Sequence, residues 1–153
     1  MKRIEVRLAL PVVAPLLDVI KDLAEHLRHN LAAPLAVHEL DADFRDAWAA
    51  ELLAGQQQEV DALLALFNDE FFREGVVAFD EENAEVIVRA CAAVRLRLRE
   101  RYLKRLGDEI LESGEVNLLA LAEPLRKAFM CYLFLATIQE LIIQHLDESI
   151  LGP

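Results

Sequence analysis

Between Ala128 and Ile143, sixteen consecutive residues carry only three polar side chains: Thr137, Gln139 and Glu140. Nothing in that run breaks a helix. A helix that is apolar on nearly every side needs cover, either from other elements of its chain or from a second subunit. The stretch therefore predicts a mainly α protein, a helical bundle around a buried C-terminal helix. Hydrophobic residues are 55% of the 153, with only five Gly and five Pro, above the roughly 45–50% of an average domain. A chain of this length reads as one domain, residues 1–153, able to bury about two-thirds of its unfolded surface without disulfides or a metal. The apolar surplus points to a subunit interface, and a homodimer is expected.

Two segments have the other periodicity. From Arg3 to Leu10 the chain alternates, with Ile4, Val6 and Leu8 against Arg3, Glu5 and Arg7, the pattern of a half-buried strand. Val76 to Phe79 is a short β-prone run after Gly75. A lone strand needs a partner, so the two are expected to pair as a small two-stranded element. Elsewhere the period is helical. From Pro11, the residues Leu16, Ile20, Leu23 and Leu27 define one face of a helix ending near Asn30. The stretch 31–40 is a connection, and Asp41 or Asp43 is a candidate cap for a helix carrying Phe44, Ala47, Trp48 and Leu52 up to Gly55. A further helical stretch runs from Gln56 to about Glu74, with Gly55 either a break or a tolerated interior glycine. Asp80-Glu81-Glu82-Asn83 reads as a helix start, and the helix continues to about Leu106 with Ile87, Cys91, Val94, Leu98 and Tyr102 as its core stripe. A short helix is expected over 108–112, and the last helix from Pro124 to about Asp147.

The formal charge of −11 repels polyanions, so neither nucleic acid nor an anionic membrane is expected as a partner. The basic start is interrupted by charges and prolines, unlike a signal peptide. The C-terminal apolar run is shorter than the roughly 20 residues a bilayer requires. A cytoplasmic protein is expected. Cys91 and Cys131, both in apolar helical context, read as buried free thiols.

Chemistry is hard to find. A carboxylate-bridged di-metal bundle would place Glu three residues before His; here His26, His29, His38 and His145 follow Leu23, His26, Leu35 and Ile142. Asp22, His26 and His29 share one helix side but read as solvated polar residues. Ser113 lies beside Gly114 in turn chemistry, and five scattered glycines build no phosphate loop. No catalytic residue, cofactor or metal is expected, and an enzyme assembled from Arg95, Glu140 and His145 would need all three in one cleft.

Two patterns remain. Arg89, Arg95, Arg97, Arg99, Arg101, Lys104 and Arg105 place seven of the sixteen basic residues on one predicted helix. They spread around its exposed sides and are expected mainly to pair with acidic neighbours. Thr137, Glu140, Gln144 and Glu148 follow one line of the last helix, the pattern of a solvent slot. Glu140 is alternatively a buried carboxylate paired with Arg95.

The segment from Phe79 to Leu98, with Asp80-Glu81-Glu82 and Val94-Arg95-Leu96, and the segment from Tyr132 to Ile142, with Gln139-Glu140-Leu141, resemble a bacterial helical family. It is common in actinobacteria and catalogued only as a domain of unknown function. The resemblance covers most of the chain and implies no reaction. Its members are often encoded near an adaptor of the Clp protease, which implies a regulatory, partner-binding role. The expected function is thus a non-enzymatic protein–protein interaction domain. Trp48, Arg97, Arg99, Arg101 and Tyr102 are its candidate contact surface, since aromatic and Arg side chains are the usual interface anchors. The alternative is a binding module for a small apolar ligand or metal between the helices, around Phe129, Met130, Phe134 and Glu140.

Overall fold

The computed structural model describes residues 3–32, 42–104, 106–113 and 116–146. In chain order these form β1 (Arg3–Arg7), α1 (Leu10–Leu27), α2 (Ala42–Ala65), α3 (Asp69–Glu74), β2 (Val76–Asp80), α4 (Ala84–Arg101), α5 (Asp108–Ser113), a 3-10 turn (Leu118–Ala120) and α6 (Glu123–His145). The expected mainly helical bundle with a two-stranded element is what forms. Asp41, His38, Arg105 and Glu148, which entered the sequence reading, lie outside the described residues.

β1 and β2 pair antiparallel, Ile4 opposite Phe79 and Val6 opposite Val77. The alternation holds from Arg3 to Arg7, turning Ile4 and Val6 onto the bundle while Arg3, Glu5 and Arg7 stay exposed; the strand ends there and not at the expected Leu10, which already opens α1. Gly75 makes the corner that brings β2 back. Its φ of 72° is left-handed, its N–H closes α3 on the Phe71 carbonyl, and its carbonyl accepts from Leu8 N at 2.6 Å. A Cβ there would stand 2.8 Å from the Leu8 carbonyl oxygen, so both the conformation and the space require glycine.

The helical core follows the periodic stripes. Leu16, Ile20, Leu23 and Leu27 of α1 are all buried, as are Ile87, Cys91, Val94 and Leu98 of α4. α4 touches α1, α2 and α6. α6 turns Phe129, Cys131, Leu135, Ile138 and Ile142 inward against α4 and α1. At 23 residues α6 is long and apolar enough to cross a membrane by length and composition alone, and 39% of its most apolar window is buried within the domain.

Several boundaries move, each for a local reason. α2 passes through Gly55 without a break. The stretch after it divides, because Asn68 caps a separate α3 by accepting from Phe71 N at 3.1 Å. Asp80 belongs to β2 and caps a turn rather than α4. Its Oδ1 accepts from Glu82 N and Asn83 N at 2.9 and 3.0 Å, while Asn83 Oδ1 accepts from Asp80 N at 2.9 Å. α4 stops at Arg101, short of the expected Leu106, since Leu103 N turns back to the Leu98 carbonyl at 3.1 Å and carries the fully buried Leu103 into the core. That turn leaves Tyr102 exposed, outside the stripe the spacing assigned to it.

Candidate functional site

Among the described residues, the N-terminal half of α2 is a poorly covered part of the helical framework. All of its buried residues, Gln56, Val60 and Leu63, lie beyond Gly55. Before that glycine the helix presents Phe44, Trp48 and Leu52, which are 56%, 39% and 41% exposed. Spacings of four place them along one ridge. The Phe44 and Trp48 rings meet edge to face, with centroids 6.0 Å apart at 72°, so the aromatic part of the ridge is already ordered. Trp48 was legible as an anchor. Phe44 and Leu52 were missed as contact residues, although their i, i+4, i+8 spacing with Trp48 was visible, because a stripe does not reveal which way it faces.

The arginine helix divides by role. Arg89 pairs with Glu59 at 3.6 Å and with Glu85. Arg97, expected on the contact surface, is drawn inward: its side chain is 13% exposed, Nη2 donates to the Leu31 carbonyl at 2.6 Å and Nη1 meets Glu100 at 3.0 Å. The turn at Leu31 has a carbonyl to satisfy and Arg97 is the donor in reach, so this residue leaves the candidate surface. Arg101 remains exposed, with its guanidinium 5.7 Å from the Tyr102 ring centroid. Arg99 borders a groove of about 460 Å³ between the end of α4 and α5, with Leu103, Lys104 and Leu111.

The expected Arg95–Glu140 pair does not form. Arg95 Nη1 donates to Gln139 Oε1 at 2.6 Å, its guanidinium lies 4.4 Å from the Tyr132 ring centroid, and Gln139 Nε2 donates to the Val88 carbonyl at 2.9 Å. Glu140 is exposed and accepts from Gln144 at 3.0 Å. One position along a helix is a rotation of about 100°; Gln139 shares the inward side of Tyr132 and Leu135, whereas Glu140 shares the outward line of Thr137 and Gln144. That line is the solvent slot. His145 is exposed as well, and among the described residues no hydrogen bond or ion pair joins Arg95, Glu140 and His145 to one another.

The alternative ligand region is packed rather than hollow at its centre. Phe129 is fully buried and Phe134 stacks toward Phe67 with centroids 6.2 Å apart. Among the described residues no group of three His, Cys, Asp or Glu side chains is placed to hold a metal ion.

Both cysteines are free and buried. Burial pushes the Cys91 thiol up to about 12, against the lowering effect of Arg95, and pushes Cys131 up to about 12, against that of Lys127. Neither is a nucleophile at neutral pH. Between the ordinary thiol value of 9.0 and about 12 the unfolded chain loses these protons and the folded chain keeps them. Stability should therefore fall as pH rises through that window. Thermal melts at pH 8 and pH 10 check this: the Cys91→Ala/Cys131→Ala variant should lose less stability between the two than the parent chain, and an equal loss would refute it.

No protein-family model, no curated protein and no solved structure matches this chain.

Proposed function

We propose that this chain is a cytoplasmic, non-enzymatic protein–protein interaction domain with a regulatory role. It acts as a homodimer through the Phe44–Trp48–Leu52 ridge of α2. The observation that carries this reading is the exposure of the ridge in an ordered helix. Contiguous apolar side chains left open to water mark contact surfaces, and Trp is prominent among the residues that dominate binding energy.

A second copy suits the ridge. Arg45 and Glu51 stand three residues either side of Trp48. Two α2 helices crossing antiparallel at Trp48 bring Arg45 of each copy toward Glu51 of the other, so the ridge complements itself although a net charge of −11 opposes self-association in general. Seven residues beyond Trp48, Gly55 has nothing within 4 Å of the place its Cβ would occupy. Packing within the domain does not require that glycine, and its missing side chain lets another helix approach closely. The partly covered α6, with Ile143 exposed, adds apolar surface in keeping with an oligomer.

Native mass spectrometry over a range of concentrations tests the assembly. The parent chain should be a dimer, and Trp48→Asp should weaken it by about thirtyfold or more, the effect of losing a hot-spot residue. A parent chain that stays monomeric throughout would remove the homodimer. An unchanged dimer in Trp48→Asp would remove the ridge as its interface.

A further inference from the structure

We infer that the groove between the first turns of α1 and α6 binds a single-chain amphiphilic anion, a carboxylate on an alkyl tail as in a fatty acid. The groove measures about 360 Å³, with an apolar wall of Val12, Pro15, Leu16 and Met130 and two cations, Arg126 and Lys127. That volume is within the roughly 300–1,000 Å³ of small-molecule sites. An apolar wall beside two cations calls for a ligand with the same division, a tail for Val12 and Met130 and a negative head for Arg126 and Lys127.

Among the described residues the cations lack carboxylate partners. Glu123 also borders the groove and stands three and four residues before Arg126 and Lys127, spacings at which helix ion pairs form. Neither cation is in an ion pair among the described residues. Arg126 Nη2 is held by the Leu121 carbonyl at 3.0 Å, while its Nε is buried with no acceptor. Arg126 and Lys127 thus meet no counter-charge among the described residues, and an anion in the groove would supply one to the guanidinium and the ammonium. The Nε atoms of Arg95 and Arg97 are unpaired too, but those guanidiniums are engaged by Gln139 and the Tyr132 ring and by Leu31 and Glu100. Of the three, Arg126 is the one that borders this groove. Both helices also begin without a side-chain cap, at Ala9 and Ala122, so the positive ends of their dipoles add to the potential there, although Pro11 and Pro124 contribute no N–H. In a chain of net charge −11, this local excess of positive charge runs against the background.

The site shares no residue with the α2 ridge, so the two readings stand or fall separately. The test is a titration of the full ¹⁵N-labelled chain with sodium dodecanoate below its micelle concentration, and in parallel with 1-dodecanol, followed by amide shifts. Shift changes should centre on residues 11–16 and 123–130, with the acid binding about tenfold more tightly than the alcohol, the value of a charge-assisted contact. Arg126→Gln/Lys127→Gln should remove that preference and leave the alcohol unaffected. Val12→Glu, at a position 51% exposed and outside the core, should weaken acid and alcohol alike by setting a charge against the tail, and guards against misfolding of the double variant. Equal affinity for acid and alcohol, full acid affinity in both variants, shifts centred on Phe44 to Leu52, or no binding would each overturn the inference.

Discussion

Phe129→Ala should destabilise the domain by about 3–5 kcal/mol, the usual cost of emptying a fully buried aromatic site. Phe129 is 0% exposed on the inward face of α6, where that helix meets α4 and α1. The lost burial and the cavity left behind act together, because a helix held by two neighbours relaxes only partly into the space. For a domain of this length the loss is a large part of the roughly 5–15 kcal/mol that separates folded from unfolded. It should lower the melting temperature by roughly 6–20 °C. Ile143→Ala, on the open side of the same helix, is the control and should cost under about 1 kcal/mol. Urea unfolding of both variants decides the matter: similar midpoints would mean that α6 does not bury the face described above.

The second large effect is expected at Gln56. Its Oε1 accepts from Ala32 N at 2.9 Å, and its Nε2 donates to the carbonyls of Leu27 and Asn30 at 2.7 and 2.9 Å. Gln57 adds a bond from its Nε2 to the Arg28 carbonyl. The carbonyls at the end of α1 have no partners within their own helix, and two glutamines of α2 satisfy them from across the core. Gln56→Leu keeps the volume and deletes the bonds, leaving the buried Ala32 N–H and Leu27 carbonyl unpaired, at a cost of about 2–4 kcal/mol. Gln58, the exposed third member of the run, should tolerate Ala to within about 0.5 kcal/mol. A Gln56→Leu midpoint in urea equal to that of Gln58→Ala would show that the cap contributes nothing.

Gln56 also marks where reading from the sequence stops. Three consecutive glutamines look like a featureless polar tract, since the partners of Gln56 and Gln57 are backbone groups more than twenty residues away. The Arg95 contact is similar: the sequence supplied the arginine and two adjacent polar candidates on α6, but helix rotation chose Gln139 over Glu140. Arg97 reads as one more surface cation until Leu31 is folded beside it. The aromatic ridge was half legible, in Trp48 alone.

What the sequence determined by itself was the inner face of the elements whose periodicity is regular. The alternation of Ile4 and Val6, the α1 face from Leu16 to Leu27, the α4 face from Ile87 to Leu98 and the apolar α6 each follow from side-chain spacing within one element. The left-handed corner at Gly75 was signalled by the glycine between a helix and a β-prone run. Only the tertiary structure decided which stripe is covered and which polar groups meet, because those outcomes depend on helix rotation and on contacts between elements distant in the chain. Phe44, Trp48 and Leu52 have core-like spacing and lie open, while Gln56 and Arg97 are polar and lie inside. The groove joining Val12 to Arg126 exists because the first turns of α1 and α6, more than a hundred residues apart in sequence, are brought side by side by the packing of α1 on α6.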